Sequence, residues 1–409
     1  MKKEIGFAEA LGLTLSSITP LGSEELPLEH LTGRVLAGDI ISRVDSPSID
    51  ASLKDGYALL SKDLQGARAD NSVALHLLGS VSAGASTALR ATSGRAIRVT
   101  TGAPLPQGAD AVLAEEFATV SGHTLLCHNT AEPGRNILPR GTDIRRGQTV
   151  ARTFEHVTPS LVGLLATAGI DRAPVFTNPV VCVIATGDEV VAPGRPLPEG
   201  MLYASNITEI CAWLSTYRIS SRVCFAGDTK EALRSTIEQN VDHVDAFISS
   251  GGIWGSERDL ILQVLESRSW KNVYHRVRMG PGKAITFGFL EGKPFFCLPG
   301  GPPSNEMAFL QIALPGVLRM RGHTGSTFPM VTARLAATVR GVGHWTQFIH
   351  AKIERTDGRL TVVPLQQKSR LQSMAGKDAL ICIPEGYEML EQGALVDVQL
   401  LDSRVLHTS

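Results

Sequence analysis

The stretch Phe247-Ile-Ser-Ser-Gly-Gly-Ile-Trp-Gly-Ser-Glu-Arg-Asp259 sets the order of elements in the central part of the chain. It continues an apolar run, Val244 to Ile248, that is typical of a buried strand, and the amphipathic run Leu260 to Ser267 follows it as a helix. A glycine-rich turn between strand and helix exposes backbone N–H groups beside a helix N-terminus, which suits an anion, most often phosphate. Asp259 stands at the helix start, where a carboxylate could hold a metal ion against that phosphate. The alternative is a tight turn with an acidic helix start and no ligand.

The residues around this stretch alternate between apolar strands and amphipathic helices. The run Val180 to Ala185 is continuously apolar, which is typical of a central parallel strand, and the alternation predicts a doubly wound parallel sheet over residues 177–322. Ligands bind outside the carboxyl ends of such strands, so the turns there should converge on one crevice. Three of these turns are acidic or glycine-rich: Thr186–Glu189, Ser250–Gly252 and Pro299–Ser304. Ser304 would cap a helix over Asn305–Leu314, whose N-terminus could bind a second anion.

A chain of 409 residues is too long for a single core, and its other segments have a different pattern. Short alternating strands broken by glycine predict an inserted all-β domain over residues 45–140. The flanking residues 1–44 and 141–176 are predicted to form an N-terminal elongated linker domain. Short strands return over residues 323–409, which predicts a C-terminal β-barrel-like domain. The fold class expected is therefore multidomain, α/β plus β.

Composition limits the classes of function. The formal net charge is −1, which gives no basic footprint for nucleic acid. The six cysteines form no CxxC pair and several lie in apolar runs, as inert thiols do in a reducing cytosol. Glu4 and Glu9 interrupt any signal-like run after Met1-Lys2-Lys3, and no run approaches the roughly 18 apolar residues of a membrane span. A cytoplasmic protein without nucleic-acid or membrane partners is expected.

Ten short stretches together closely resemble one protein family. In order they are Gly33-Arg-Val-Leu-Ala37, Asp55-Gly-Tyr-Ala58, Arg98-Val-Thr-Thr-Gly-Ala-Pro-Leu-Pro-Gln-Gly-Ala-Asp-Ala-Val112, Pro133-Gly-Arg-Asn-Ile137, Gly141-Thr-Asp-Ile144, Ala185-Thr-Gly-Asp-Glu-Val190, Ser205-Asn206, Ser250-Gly-Gly252 with Asp259, Pro281-Gly-Lys283, and Leu298-Pro-Gly300 with Pro302 and Ser304. Their order and spacing resemble the molybdopterin molybdenumtransferase family (MoeA and the gephyrin E-domain), from Phe7 to about Val398.

The resemblance implies an activity. Proteins of this family bind adenylylated molybdopterin and molybdate, release AMP with the help of a divalent cation such as Mg²⁺, and insert molybdenum, or tungsten from tungstate, into the dithiolene. N–H groups, a lysine and a metal ion stabilise the negative charge of a phosphoanhydride when its bond is broken, and the residue types in the three turns fit this requirement. The implied partners are a second copy of the chain in a homodimer, a molybdopterin adenylyltransferase and target molybdoenzymes.

The resemblance also implies roles for individual residues. The implied catalytic residues are Asp55, Thr101, Glu189, Asp259 and Lys283; the implied metal ligands are Asp188, Glu189, Asp228 and Asp259; the implied cofactor-binding residues are Ser250, Gly251, Gly252, Pro299, Gly300, Ser304 and Ser373. Asp55, Thr101 and Asp143 would come from the β domain and reach across a dimer cleft, while Lys283 would contact a phosphate.

Simpler structural roles remain open for several of these residues. The role of Asp228 could be limited to capping the helix that begins at Thr229, and the role of Asp143 could be limited to stabilising a turn. Asp188 and Glu189 could form a solvated turn, and Ser373 could be structural.

Departures from the family pattern leave three functional hypotheses. They gather in the ligand-binding turns: Trp254 for a serine, Ser256 for a glycine, Gly280 for a lysine and Gly301 for an asparagine, with Lys54 for a methionine and Lys377 for an alanine elsewhere. The first hypothesis is a MoeA-like transferase. The second is a diverged homologue that binds a pterin or nucleotide, or delivers cofactor to a partner enzyme, without efficient insertion. The third is a related nucleotide pyrophosphate hydrolase or adenylyltransferase.

Overall fold

The computed structural model describes residues 2–86, 88–251, 259–325, 327–356, 358–365 and 369–402. The predictions for Gly252, Trp254 and Ser256 lie outside these described residues. The chain divides into two compact units, one of residues 1–24 with 176–409 and one of residues 25–175. No helix among the described residues is long and apolar enough to cross a membrane.

The helices are α1 (Phe7–Ser17), α2 (Pro159–Thr167), α3 (Ser205–Thr216), α4 (Lys230–Asn240), α5 (Leu260–Glu266), α6 (Pro302–Ala308), α7 (Leu314–Met320) and α8 (Arg370–Gly376), with a π-helical segment, Phe309–Ala313, between α6 and α7. The strands are β1 (Lys2–Gly6), β2 (Ser23–Pro27), β3 (Ile40–Ile41), β4 (Ala51–Ser52), β5 (Gly56–Leu59), β6 (Val73–Val81), β7 (Arg95–Val99), β8 (Ala111–Ala114), β9 (Ala118–Ser121), β10 (Thr124–Cys127), β11 (Ile137–Leu138), β12 (Thr149–Ala151), β13 (Arg172–Phe176), β14 (Val180–Thr186), β15 (Val190–Val191), β16 (Leu202–Tyr203), β17 (Ser220–Ala226), β18 (Ala246–Ser250), β19 (Trp270–Gly280), β20 (Thr286–Leu290), β21 (Lys293–Leu298), β22 (Met330–Leu335), β23 (Val339–Arg340), β24 (Thr346–Thr356), β25 (Arg359–Pro364), β26 (Ala379–Ile383), β27 (Met389–Leu390) and β28 (Leu395–Leu400).

The α/β part of the first unit is built on four parallel strands in the spatial order β17-β14-β18-β21. The first strand in sequence, β14, therefore lies inside the sheet, and the order reverses between β14 and β18. One face of β14 packs with α3 through residues such as Val183 and Ile207, and the other packs with α4 and α5 through residues such as Ile184 and Leu233. Helices on both faces make this the doubly wound arrangement that the alternation predicted.

The sheet is mixed rather than wholly parallel, which corrects the prediction. β20 runs antiparallel to both β21 and β19. The β20–β21 hairpin closes through Glu291 and Gly292, whose φ angles of 52° and 83° are both positive. Two consecutive residues with positive φ are typical of the two-residue turn that matches the twist of paired strands. The sequence interpretation did not recognise this short turn.

Residues 1–24 belong to the first unit. The linker domain expected over residues 1–44 and 141–176 stays a prediction. β1 pairs in parallel with β19, and the hydroxyl groups of Thr14 in α1 and Tyr274 in β19 share a hydrogen bond of 2.7 Å. These partners are 260 residues apart in sequence, so no local pattern indicates the pairing.

The C-terminal strands form a closed β-barrel, as predicted. Their order is β24-β25-β22-β28-β26, and β26 also pairs with β24. The interior holds small and branched apolar residues, including Ala351, Val362, Ile381 and Val398. Because β24 also pairs with β19, the barrel lies in the same compact unit as the α/β sheet.

The second unit contains a six-stranded sheet in the order β8-β5-β7-β6-β10-β9. Residues such as Leu125 pack on one side of this sheet, and residues such as Ile97 pack in a separate cluster. A third core in this unit includes Leu31 and Leu165. In that core, the start of α2 is capped by Thr158, whose hydroxyl accepts the backbone N–H of Leu161 at 3.2 Å.

Candidate functional site

A pocket of about 340 Å³ lies where the order of the parallel strands reverses. It is lined by Ala185, Thr186, Glu189, Val190, Leu202, Tyr203, Ala204, Ser205, Asn206, Ile207, Ser250, Gly251, Gly300, Pro302 and Leu371. The structure therefore brings together residues of all three turns that the sequence analysis expected to converge. This is where an open α/β sheet usually binds its ligand, because the loops on either side of the reversal leave a crevice.

Two asparagine side chains hold the turns around this pocket in place. Asn206 Nδ2 donates to Ser250 Oγ at 3.1 Å and to the Gly300 carbonyl at 2.8 Å. Asn305 Nδ2 donates to the same Ser250 Oγ at 3.0 Å and to the Pro299 carbonyl at 2.8 Å. Ser250 Oγ thus accepts two N–H groups, and its own proton is left to donate. Sequence reasoning did not assign either asparagine a site role. The available signals were the family-like stretch Ser205-Asn206 and, for Asn305, the glycine-rich loop just before its helix.

Gly251 allows the closest approach between two of the turns. Its φ is +95°, and a Cβ at this position would lie 2.9 Å from Thr186 Oγ1 and 3.0 Å from the Thr186 carbonyl oxygen. Only glycine fits both the angle and the space. Its N–H donates to the Leu298 carbonyl at 3.2 Å, so this group holds the loop and does not serve the pocket as a free donor.

Asp188 and Asp228 meet at the ends of β14 and β17. The Asp188 N–H donates to Asp228 Oδ2 at 3.2 Å, and the Asp228 N–H donates to Asp188 Oδ1 at 3.1 Å. The helix after Asp228 has its own cap, Thr229, whose hydroxyl accepts the N–H of Ala232. Asp228 therefore does not cap the helix, and two exposed carboxylates lie side by side instead.

The other two acidic residues of the predicted metal set have different surroundings. Glu189 lines the pocket and folds over Gly187, where a Cβ would lie 2.4 Å from its Oε2 atom. Asp259 is only 6% exposed, at the start of α5, and its charge opposes the lowering of the pKa of His275 that burial and Arg276 produce. Among the described residues no three His, Cys, Asp or Glu side chains are already close enough to hold a metal ion.

Lys283 is engaged away from the pocket. Its ammonium pairs with Glu4 Oε1 at 2.8 Å and lies 4.7 Å from the centre of the Trp345 ring. The hydrogen bond and the charge of Lys283 lower the pKa of Glu4. The lysine is not among the residues that line the pocket, so a contact with a phosphate there would require this pair to open.

The two serines predicted to bind cofactor also lie in defined local structures. Ser304 is in the first turn of α6, but Pro302 and Pro303 in the same turn have no N–H, so this turn offers fewer donors to an anion than an ordinary helix start. Ser373 is buried in α8 and donates to the Ser369 carbonyl at 3.3 Å. The pocket residue of this helix is Leu371.

In the second unit, Asp55 and Thr101 form a local pair. Asp55 Oδ1 accepts the N–H of Thr101 at 2.6 Å and its hydroxyl at 2.9 Å. These two bonds lower the pKa of Asp55, the backbone bond having the larger effect. Both residues are exposed and close together, while their action on a substrate stays a prediction.

Comparison with known proteins decides the family. Three protein-family models match the sequence. The MoeA N-terminal region (domain I and II) matches residues 5–169, a probable molybdopterin binding domain matches residues 182–319, and the MoeA C-terminal region (domain IV) matches residues 332–401. The crystal structure of a molybdopterin biosynthesis MoeA protein from Pyrococcus horikosii is 32% identical and superposes with a TM-score of 0.84, over 98% of this chain and 100% of that chain. The chain belongs to the MoeA family.

Curated relatives agree with this assignment to the MoeA family. Molybdopterin molybdenumtransferase 2 of Mycobacterium tuberculosis is 29% identical over 383 residues, covering 92% of this chain and 94% of that protein. Molybdopterin molybdenumtransferase of Staphylococcus epidermidis is 27% identical over 402 residues, covering 98% of this chain and 96% of that protein. These MoeA relatives are named as enzymes, and this chain matches them over nearly their whole length.

Proposed function

We propose that this protein is a molybdopterin molybdenumtransferase that inserts molybdate, or tungstate, into adenylylated molybdopterin with release of AMP. The observation that carries the proposal is the pocket at the strand reversal. Residues from the turns after β14, β18 and β21 line it, in a chain that aligns with a MoeA structure over 98% of its length. The proposal places the reaction in molybdenum cofactor biosynthesis in the cytoplasm.

The pocket walls suit a planar ring system with polar edges. Leu202, Tyr203 and Leu371 supply apolar surface, while Asn206 and Ser250 supply polar atoms deeper in the pocket. Pockets for cofactor-sized ligands are usually mainly apolar, with a few placed polar groups that fix orientation. In the proposed complex these apolar side chains hold a pterin or adenine ring, and the Ser250 hydroxyl donates to an oxygen of the substrate.

The acidic turns fit a magnesium ion. Among the described residues, Asp188, Glu189 and Asp228 make no ion pair with a lysine, arginine or histidine. Exposed carboxylates without a cationic partner are the donors that Mg²⁺ prefers, and the ion keeps several waters when few protein ligands reach it. In this proposal Asp188 and Asp228 hold the ion, Glu189 moves toward them when it binds, and Asp259 is a further candidate. The bound ion would neutralise charge on the phosphates as AMP leaves.

A second function is favoured by two observations. The cationic partner expected for a phosphate, Lys283, is paired with Glu4, and two prolines remove N–H donors from the start of α6. A diverged homologue that binds a pterin or nucleotide, or delivers cofactor without inserting metal, would have less need of these groups. The two functions differ in whether AMP is released.

One experiment tests the proposal. Purified protein is mixed with adenylylated molybdopterin, Mg²⁺ and molybdate, and AMP and completed cofactor are followed together. The transferase proposal predicts AMP release that requires both the divalent cation and the oxyanion. Binding without AMP release would reject it in favour of the second function, and release that is independent of oxyanion would indicate a plain hydrolase.

The proposal includes a homodimer, in which Asp55 and Thr101 of one chain contribute to the site of the other. It also includes a molybdopterin adenylyltransferase as the source of substrate and molybdoenzymes as recipients. Light scattering during gel filtration tests the first point, since the proposal expects twice the mass of 43.7 kDa and a monomer would contradict it.

A further inference from the structure

A cluster of charged side chains is buried directly behind the pocket. Glu306 of α6 pairs with Lys377, and the side chains are only 1% and 6% exposed. The other carboxylate oxygen of Glu306 is 2.8 Å from His350 Nε2 of β24. Lys377 Nζ also donates to the Met374 carbonyl at the end of α8, at 2.8 Å. These contacts join α6, α8 and the barrel strand β24.

Glu209 of α3 completes the cluster. Burial and its hydrogen bond to Glu306 raise the pKa of Glu209 to about 8, so at neutral pH it is mainly protonated and donates to Glu306. Burial alone would raise the pKa of Glu306 too, but the hydrogen bond from His350 and the charge of Lys377 outweigh it and keep that pKa below its usual value. The cluster then contains one full ion pair and one neutral carboxyl group. We call Glu209, Glu306, His350 and Lys377 the buried ion cluster.

The position of the buried ion cluster relates it to the pocket. On α3, Glu209 comes one turn after Ser205, and on α6, Glu306 comes one turn after Pro302; both Ser205 and Pro302 line the pocket. Residues four apart on a helix lie on the same face, so the cluster is one turn deeper than the pocket wall. Lys377 follows α8 directly, and α8 carries the pocket residue Leu371.

We propose that Lys377 is a positioning residue: its pairing with Glu306 fixes α8 against α6 and α3 and thereby sets the wall of the pocket formed by Leu371. The inference rests on the proposed function for its consequence, substrate binding, but its structural part does not.

The physical chemistry favours positioning over simple stabilisation. Burying two charges costs about as much as their attraction returns, and apolar residues of similar volume are often as stable. A buried pair is instead directional, because each charge must face its partner. With Glu306 held by Lys377, His350 and Glu209 from three sides, a displacement of α8 would leave a buried carboxylate without its cation.

The test compares Lys377→Met with Glu306→Gln, with the double variant, and with Lys271→Met, which removes an exposed lysine of β19 as a matched control. Two measurements are made on each full-length protein: the KM and kcat of AMP release from adenylylated molybdopterin, and hydrogen–deuterium exchange of the peptides covering residues 302–308 and 370–376. The second measurement needs no activity, so it reports on positioning even if the parent protein releases no AMP.

Lys377→Met should raise KM about tenfold at pH 8 with a smaller effect on kcat, and it should speed exchange in both peptides. Lowering the pH to 6 should restore part of the loss, because protonation neutralises the carboxylate that has lost its cation. The double variant should recover most of the loss for the same reason, and Lys271→Met should match the parent. The inference would be overturned if Lys377→Met left both exchange and KM unchanged. It would also be overturned if the loss in the double variant, in KM and exchange, equalled the sum of the losses in the single variants. AMP release absent from the parent would instead overturn the proposed function.

Discussion

Two groups of carboxylates near the same pocket differ in their exposure to solvent and in the charged groups that they face. Asp188 and Asp228 are exposed, and the carboxylate of each accepts the backbone N–H of the other. Glu306, behind the pocket wall, is buried and faces Lys377, His350 and Glu209. The carboxylates of Asp188 and Asp228 therefore remain available to bind a cation from solution. The charge of Glu306 is already balanced by buried partners in the protein, so this carboxylate can orient helices but is not available to bind an external ion.

The largest effect expected from this comparison is on stability. Lys377→Met leaves the buried Glu306 without its cation, which should lower the free energy of unfolding by about 3 to 5 kcal/mol. Adding Glu306→Leu removes the orphaned charge, so the double variant should regain most of the loss. Thermal unfolding of the parent, the two single variants and the double variant measures this. Equal midpoints for Lys377→Met and the parent would show that the pair is not coupled as described.

The exposed pair should matter for activity and not for folding. Asp188→Asn and Asp228→Asn together remove the charges proposed to hold Mg²⁺, which should reduce AMP release about 100-fold and raise the Mg²⁺ concentration needed for half-maximal rate. The neutral amides also relieve like-charge repulsion, so the thermal midpoint should not fall. Glu231→Gln, an exposed carboxylate in the first turn of α4, is the matched control and should behave as the parent. A double variant with normal Mg²⁺ dependence would exclude these residues as the metal site.

The pH dependence of stability should isolate Glu209. Its pKa is raised from 4.5 to about 8 in the folded chain, so the folded state binds the proton more tightly than the unfolded state. The stabilisation from this group is complete below pH 4.5 and is lost as the pH rises to about 8. Glu209→Gln should therefore reduce the fall in stability between pH 6 and pH 8 by about 1 to 3 kcal/mol. Denaturant unfolding at the two pH values measures it, and parallel pH profiles for both proteins would contradict the assignment.

The smallest effect is expected at an exposed ion pair. Lys2 and Glu9 lie 2.5 Å apart, with both side chains about half exposed. Solvent screening leaves such pairs worth less than about 1 kcal/mol, so Glu9→Gln should change the free energy of unfolding by no more than about 0.5 kcal/mol. A loss comparable with that of Lys377→Met would mean that burial is not what separates the two classes of charge.

The sequence was sufficient for the parts of the fold that local patterns determine. The apolar run of β14 and the alternation after it predicted the doubly wound arrangement, and the polar turns at the strand ends predicted the pocket that Thr186, Ser250 and Gly300 line. Strand ends are set by local sequence, and parallel strands bring their ends to one edge, so this prediction needed no knowledge of distant contacts.

The parts that were missed depend on pairing between distant residues. The partner of Lys283 is Glu4, and the partner of Lys377 is Glu306, neither of which is near in sequence. Composition and spacing do not show which side chains meet across elements. Asn305 was missed for the same reason, because its role is to reach Ser250 from another turn.

The proposed function requires the substrate to bind in the pocket outside the ends of β14 and β18. The most direct measurement is a crystal structure with AMP and tungstate soaked into the protein, because tungsten gives a strong anomalous signal that locates the oxyanion independently. AMP density should lie against Asn206 and Ser250, with a tungsten peak in the same pocket, beside Gly300. A tungsten peak and AMP density at another place on the molecule, with this pocket empty at saturating concentrations, would contradict it.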